Sequence, residues 1–219
     1  DIVIAVKEGG GDPDTNSRLR QVMQNAKNAN MPKENVLRAI KKANSKDVAN
    51  YDEISLEGYA AHGIAVFIDC ATNNNNRTVA DVRSYFSKTN GELGKNGSLE
   101  FIFDRKGVFT ILKENININL EDFEIELIDG GLEDLFEEED IVTIICNYLD
   151  FNNLQLKIES LNINIEKSEL QRFPNSTKEI SVNDAKDVLK LLDLLEENDD
   201  VQNVFHNMEM TEEILNLIN

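Results

Sequence analysis

Short apolar segments of two kinds alternate along this chain of 219 residues, and they limit the folds that it can adopt. Runs rich in β-branched residues are typical of strands, whereas segments with apolar residues at roughly every third or fourth position are typical of amphipathic helices. No apolar run approaches the roughly 18 residues that span a membrane. Strands and helices that alternate in short units favour small α+β sandwiches.

The alternation predicts the following elements beyond residue 50. We expect strands over residues 54–59, 64–70, 98–103, 107–112, 141–148, 163–173 and 201–206. We expect helices over residues 78–88, 123–128, 151–161 and 183–197. A turn at residues 104–106 would join the two strands on either side of it.

Before residue 50, residues 16–44 predict two helices joined by a short turn. The glycine-rich segment 9–14 breaks any regular element before them, and Asn16 or Ser17 is a suitable N-cap. Each helix then carries one apolar stripe, and Pro32 fits the first turn of the second helix. The pattern therefore predicts a helical hairpin.

The first fifty residues also differ in charge from the rest of the chain. They hold nine Lys or Arg against six Asp or Glu, while the remaining residues carry a net charge of −22 within the total of −19. On the second helix, Arg38, Lys41 and Lys42 share an outer face, and Arg20 and Lys27 flank the apolar stripe of the first. Two interpretations stay open: a solvated face that balances an acidic protein, or a local patch that binds phosphates.

A second pair of arginines follows the asparagine-rich loop 73–76. Arg77 stands at the start of a predicted helix, where free backbone N–H groups favour anions, and Arg83 lies further along it. Structural capping, or an ion pair with Asp81 or Glu100, explains these arginines equally well.

The sequence offers little for catalysis or metal binding. Its two histidines, His62 and His206, have no ligand at metal-binding spacing, and Cys70 and Cys146 lie in strand-like runs as expected of buried, reduced thiols. The acidic run 133–140 lacks the spacing of a calcium loop and is typical of a solvated surface. We expect no catalytic residue, no metal site and no cofactor.

Many short motifs are found in one order along the whole chain. They are Gly9-Gly10-Gly11-Asp12-Pro13 with Asn16 and Arg18-Leu19-Arg20, Asn30-Met31-Pro32-Lys33-Glu34-Asn35 with Arg38-Ala39-Ile40, Glu57-Gly58-Tyr59, Asn74 with Asn76-Arg77-Thr78-Val79-Ala80-Asp81-Val82-Arg83, Gly97-Ser98 with Phe103 and Lys106-Gly107, and Asp199-Asp200-Val201-Gln202-Asn203-Val204 with His206-Asn207. In this order they resemble the YebC/PmpR family, whose mitochondrial members act as translational activators. The family begins with a strongly basic helical segment, so the resemblance implies that this sequence is truncated at its N-terminus.

The resemblance implies an α+β fold of three domains. These are an N-terminal helical domain (1–50), an α+β domain in two pieces (51–105 and 173–219), and an acidic α+β domain inserted into it (106–172). It also implies that Ile2–Val6 ends a helix, although its β-branched residues by themselves favour a strand. One departure is the segment 60–63, which reads Ala-Ala-His-Gly where the family usually has Gly-Pro-Gly-Gly.

The function implied is that of a non-enzymatic, nucleic-acid-binding gene-expression factor. It would act in translation, by binding RNA or the ribosome, or in transcription regulation, by binding DNA; an acidic protein–protein adaptor is the alternative. We favour the ribosome, because no helix presents Asn, Gln and Arg arranged to read base edges. The expected nucleic-acid-binding residues are Arg18, Arg20, Lys27, Lys33, Arg38, Lys41 and Lys42, with Arg77 and Arg83 as a weaker set. The compartment would be the cytoplasm in a bacterium, or a mitochondrion or other organelle in a eukaryote, with no membrane contact.

Overall fold

The computed structural model describes residues 1–43 and 51–218. Its helices are α1 (Ile2–Gly9), α2 (Ser17–Asn28), α3 (Lys33–Ala43), α4 (Asn75–Lys88), α5 (Leu120–Ile128), α6 (Phe151–Ser160), α7 (Val182–Glu196) and α8 (Glu212–Leu215). Its strands are β1 (Asp52–Tyr59), β2 (Ala65–Thr72), β3 (Glu92–Leu93), β4 (Phe103–Leu112), β5 (Leu132–Glu137), β6 (Ile141–Asn147), β7 (Lys167–Pro174) and β8 (Val201–His206). The mixed composition confirms the predicted α+β class. In the described residues, no helix combines the length and the apolar character needed to cross a membrane.

Tertiary contacts divide the described chain into two compact units. Unit 1 holds residues 1–43 and 105–171, and unit 2 holds residues 51–104 and 172–218. The three-domain division at residues 50, 105 and 172 stays a prediction. The expected connection at residues 45–50, with Lys46, lies outside the described residues.

The first part of unit 1 is a bundle of α1, α2 and α3 around its own apolar core. Ile2, Ala5 and Val6 of α1 pack with buried residues of the other two helices. The strand favoured by the β-branched residues 2–6 is therefore wrong and the helix implied by the resemblance is confirmed, because burial against α2 and α3 outweighs local propensity. The predicted hairpin is confirmed too. Asn16 caps α2 by accepting a hydrogen bond from the Leu19 N–H at 3.0 Å.

The second part of unit 1 is a four-stranded sheet in the order β5-β6-β4-β7, with α5 and α6 on one face. The rings of Phe109 and Phe151 stack in its core with centroids 4.7 Å apart. Gly107 is required beside them, since a Cβ there would lie 2.5 Å from the Phe151 ring. Cys146 is a free thiol buried in this core.

Unit 2 is built on a second antiparallel sheet in the order β3-β1-β2-β8. Helices α4 and α7 cover one face, where Val82, Phe86 and Val188 are fully buried. On the other face the ring of Phe67 packs edge-on against Phe103, and the Arg172 guanidinium lies 3.7 Å from the Phe67 ring centroid. Cys70 is buried in the core of this unit as a free thiol. The prediction of buried, unpaired thiols is confirmed for both cysteines.

Two local predictions are wrong. Residues 98–102 form turns where a strand was expected, and β4 runs without a break through residues 104–106, where a turn was expected. The turns follow from Glu57, whose buried carboxylate accepts hydrogen bonds from the N–H groups of Gly97 (2.7 Å) and Leu99 (2.6 Å). A strand cannot form in a segment whose N–H groups converge on one side chain.

Candidate nucleic-acid interface

Helix α3 presents most of its basic residues to solvent. It begins just after Pro32, and its buried Val36 and Ala43 hold it against the bundle core. At helical periodicity the opposite side carries the exposed residues Lys33, Glu34, Leu37, Arg38, Lys41 and Lys42. The eleven residues of this helix include four bases and a single acid, Glu34.

The charges on this face are largely uncompensated. Among the described residues, no carboxylate lies within 4.0 Å of the side-chain nitrogens of Lys33, Arg38 or Lys41. Glu34 is four residues before Arg38 but does not pair with it. These three cations are therefore directed at solvent, where they can meet an anion. Leu37 lies among them with 51% of its side chain exposed.

The basic residues of α2 are placed differently from one another. Arg18 forms an ion pair with Glu8 of α1 at 2.5 Å. Arg20 is half-buried, and no described residue gives its Nε a hydrogen-bond acceptor. Lys27 is exposed in the last turn of the helix. Of these three, Lys27 is the most accessible to a ligand.

The polar amides of α2 face inward, which the sequence did not predict. Gln21, Asn25 and Asn28 lie on one side of the helix and donate to backbone carbonyls of Ile165, Glu166 and Ser168. The contact is reciprocal at Asn25, whose Oδ1 accepts from the Ser168 N–H at 3.2 Å. These amides occupy the free edge of β7 and attach the helical bundle to the sheet of unit 1. Their spacing along one helix face was the available signal.

Arg77 and Arg83, on α4, do not lie together. Arg77 donates to Asp200 Oδ2 at 2.7 Å and to Asn73 Oδ1 at 3.2 Å. Asp200 also accepts from the hydroxyls of Thr78 and Thr72. The partner of Arg77 is thus neither Asp81 nor Glu100, the two that the sequence offered.

Arg83 is exposed on another side of α4. It lines a shallow, open concavity together with small and polar residues of the same helix, namely Asn75, Asn76, Val79, Ala80, Ser84 and Ser87. In the described part of the chain, no carboxylate pairs with Arg83. A single cation on such a surface gives at most a weak contact to phosphate.

Comparison with known proteins identifies the family. One family model, the N-terminal domain of TACO1/YebC proteins, matches residues 1–46, and another, their second and third domains, matches residues 51–208. The chain belongs to the TACO1/YebC family. The resemblance that its motifs indicated is confirmed, and so is the YebC-type architecture.

Relatives of this YebC-family chain are found in several bacteria. A "probable transcriptional regulatory protein" of Flavobacterium johnsoniae is 54% identical over 208 residues, covering 95% of the chain and 87% of the relative. A protein of the same name in Porphyromonas gingivalis is 49% identical over 212 residues, covering 97% and 87%. The crystal structure of a conserved hypothetical protein from Aquifex aeolicus has a TM-score of 0.83 and 38% identity, covering 98% of this chain and 88% of that one.

The structure gives two of the YebC-type motifs a structural reason. Glu57 binds the turn at Gly97, as described above, and neighbouring Gly58 sits where a Cβ would lie 2.6 Å from the Glu92 carbonyl oxygen. The motif around Arg77 and Asp200 is likewise joined by hydrogen bonds. These residues hold unit 2 together.

The loop that departs from the usual family sequence is anchored inside unit 2. His62 has φ +61°, in the left-handed region, and its Nε2 lies 3.3 Å from Asp187 Oδ2 on α7. Lys178 donates to the His62 carbonyl at 2.8 Å. Contacts from α7 and from Lys178 therefore fix a loop that the family usually builds from glycine and proline.

Proposed function

We propose that this chain regulates gene expression by binding nucleic acid through the outer face of α3. The observation that carries the proposal is the set of exposed cations on α3, of which Lys33, Arg38 and Lys41 lack a described carboxylate partner. The relatives named "probable transcriptional regulatory protein" support a role in gene expression. Lys42 lies on the same helix, and Lys27, Arg18 and Arg20 of α2 are proposed as further contacts.

The contacts of α3 are to phosphates and position the nucleic acid without reading its sequence. Lysine and arginine bind phosphate oxygens, whereas base edges are read by several donors and acceptors set at fixed positions in a groove. The exposed side of α3 offers cations, Leu37 and one acid, Glu34, with Asn35 as its amide. We therefore favour structured RNA on the ribosome, and hence a role in translation, over a specific DNA sequence.

A charge-reversal experiment tests the interface. Full-length protein carrying Arg38→Glu with Lys41→Glu should bind ribosomes about tenfold or more weakly than wild type at physiological salt. Its plot of log affinity against log salt should be shallower by roughly 1.5, because each lost phosphate contact removes about 0.7–0.9. Cosedimentation with ribosomes over a salt series measures both quantities.

The matched control places the same charge change elsewhere. Lys95→Glu with Lys186→Glu alters two exposed lysines of unit 2, for which no ion pair is found in the described chain, and should leave ribosome binding at the wild-type level. Equal weakening by both variants, or no weakening by the α3 variant, contradicts the proposed interface. A gel shift on duplex DNA separates the two targets. Tighter binding to DNA than to ribosomes at equal salt would favour a role in transcription over the proposed role in translation.

A further inference from the structure

The sheet of unit 1 ends in an open edge at β5. In the strand order β5-β6-β4-β7, β5 has a neighbour on one side only. Glu138 and Ile141 exchange two backbone hydrogen bonds, 2.9 and 3.4 Å long, at the turn into β6. Because bonded and non-bonded pairs alternate in an antiparallel ladder, the backbone groups of Leu135 and Glu137 point away from β6. No described residue bonds to these outward groups.

An exposed isoleucine of α5 lies on the side of this edge. Ile128 is largely exposed, at 60%. Glu126 pairs with Lys157 at 2.6 Å, so the Glu126 side of α5 faces α6, and helical periodicity puts Ile128 on the side away from α6. Since α5 contacts β5 while α6 contacts β6, Ile128 is directed to the β5 side of the sheet. Ile125 is also exposed, but it is opposite the buried Phe123 and Leu127 and points away from the sheet.

The same segment is intensely acidic. Residues 121–140 contain eleven Asp or Glu and no Lys or Arg. Three of these acids are paired: Glu126 with Lys157, Glu133 with Lys106, and Glu137 with Lys113. No described cation pairs with the others. These acids favour a cationic ligand, and the exposed Ile128 and the open strand edge favour one with apolar side chains and an extended backbone.

We propose that the β5 edge surface, formed by Leu135, Glu137 and Ile128, binds a lysine- or arginine-rich polypeptide segment as an added strand. Its backbone bonds to the outward groups of Leu135 and Glu137, and alternate side chains face α5, where an apolar residue covers Ile128. The acids of residues 121–140 attract and orient the basic side chains. This protein-binding site is independent of the nucleic-acid contact through α3.

The probe is a twelve-residue peptide of alternating Lys and Val, added to full-length protein. On binding, hydrogen exchange at the amides of Leu135 and Glu137 should slow, as these groups gain partners. Ile128→Gln should weaken peptide binding about fivefold, through lost apolar burial, without unfolding a protein in which this side chain is already largely exposed. Fluorescence anisotropy of labelled peptide gives the affinities.

Three controls decide the outcome. A peptide of alternating Lys and Pro, equal in charge but unable to complete the ladder, should bind at least about tenfold more weakly. Glu100→Lys with Glu179→Lys, two exposed acids of unit 2, should leave the affinity unchanged, as should Arg38→Glu with Lys41→Glu on α3. Equal binding of both peptides, or no protection of the Leu135 and Glu137 amides from hydrogen exchange, overturns the proposal. The acids would then serve only to prevent aggregation through the open strand edge.

Discussion

At the scale of single residues, the Asp200 carboxylate joins three side chains of unit 2. Its Oδ2 accepts from Arg77 and Thr78, both at 2.7 Å, and from Thr72 at 3.1 Å. Burial by itself would raise the pKa of Asp200, but hydrogen bonds from Arg77, Thr78 and Thr72 outweigh it, so the pKa lies below its ordinary value. The ionised form is thus the one that stabilises the fold.

The stability contribution of Asp200 should therefore depend on pH. A depressed folded-state pKa gives stability that is complete above the unfolded value of about 3.9 and is lost as the pH falls through the folded value. Asp200→Asn should unfold at lower denaturant than wild type from pH 7 to about 5, and the difference should shrink below about pH 4. Urea titrations at several pH values measure it. A stability difference independent of pH would mean that the charge of Asp200 does not contribute to these contacts.

At the scale of elements, the docking of α2 on β7 depends on amide side chains. Asn25 reproduces the two hydrogen bonds of a strand neighbour, because it donates to the Ser168 carbonyl (2.8 Å) and accepts from the Ser168 N–H (3.2 Å). It thereby closes an edge of the sheet that would otherwise be open. The helical bundle that carries the basic face is held in unit 1 by these polar contacts.

Asn25→Ala should loosen this edge. Hydrogen exchange at the Ser168 amide should become roughly fivefold faster, as expected for the loss of one hydrogen bond of about 1 kcal/mol. Gln24→Ala is the matched control, because Gln24 donates to the side chains of Asn28 and Asn164 and, among the described residues, makes no hydrogen bond to the backbone of β7. Equal acceleration in both variants would show that Asn25 has no special part in the docking.

The elements that the sequence predicts correctly are those set by local chemistry. The hairpin of α2 and α3 follows from its periodicity, its Asn16 cap and Pro32. The wrong predictions arise from contacts with residues distant in sequence. Residues 98–102 form turns because Glu57 accepts hydrogen bonds from this segment. Strand β5 was missed because its sequence, Leu-Glu-Asp-Leu-Phe-Glu, has no apolar alternation, and its pairing with β6 shifts register between Leu132 and Asp134.

The same division holds for the candidate interface. The exposure of Arg38 and Lys41 follows from the helical period, and both residues are exposed on α3. The partner of Arg77 is Asp200, 123 residues further along the chain, and no local pattern connects the two. The orientation of the Asn25 side chain toward the sheet depends in the same way on a distant strand.

At the scale of the whole molecule, any attraction to nucleic acid has to be local. The chain carries a net charge of −19, yet α3 holds four bases and one acid. At physiological salt, interactions between exposed charges fade over about 8 Å, so acidic residues farther away than this do little to cancel the charge of this face. The salt dependence of binding therefore reports the few cations in contact, independent of the total charge.

The two buried cysteines give each unit a chemical probe of its own. Burial, with Asp69 and Asp200 nearby, raises the pKa of Cys70 in unit 2 to about 12, and burial raises that of Cys146 in unit 1 to about 11. Because the thiolate is the reactive form, a maleimide should label either residue only when its unit opens. Labelling in rising urea, followed by peptide mass spectrometry, should show two separate midpoints if the units unfold independently. A single shared midpoint would show that they unfold together.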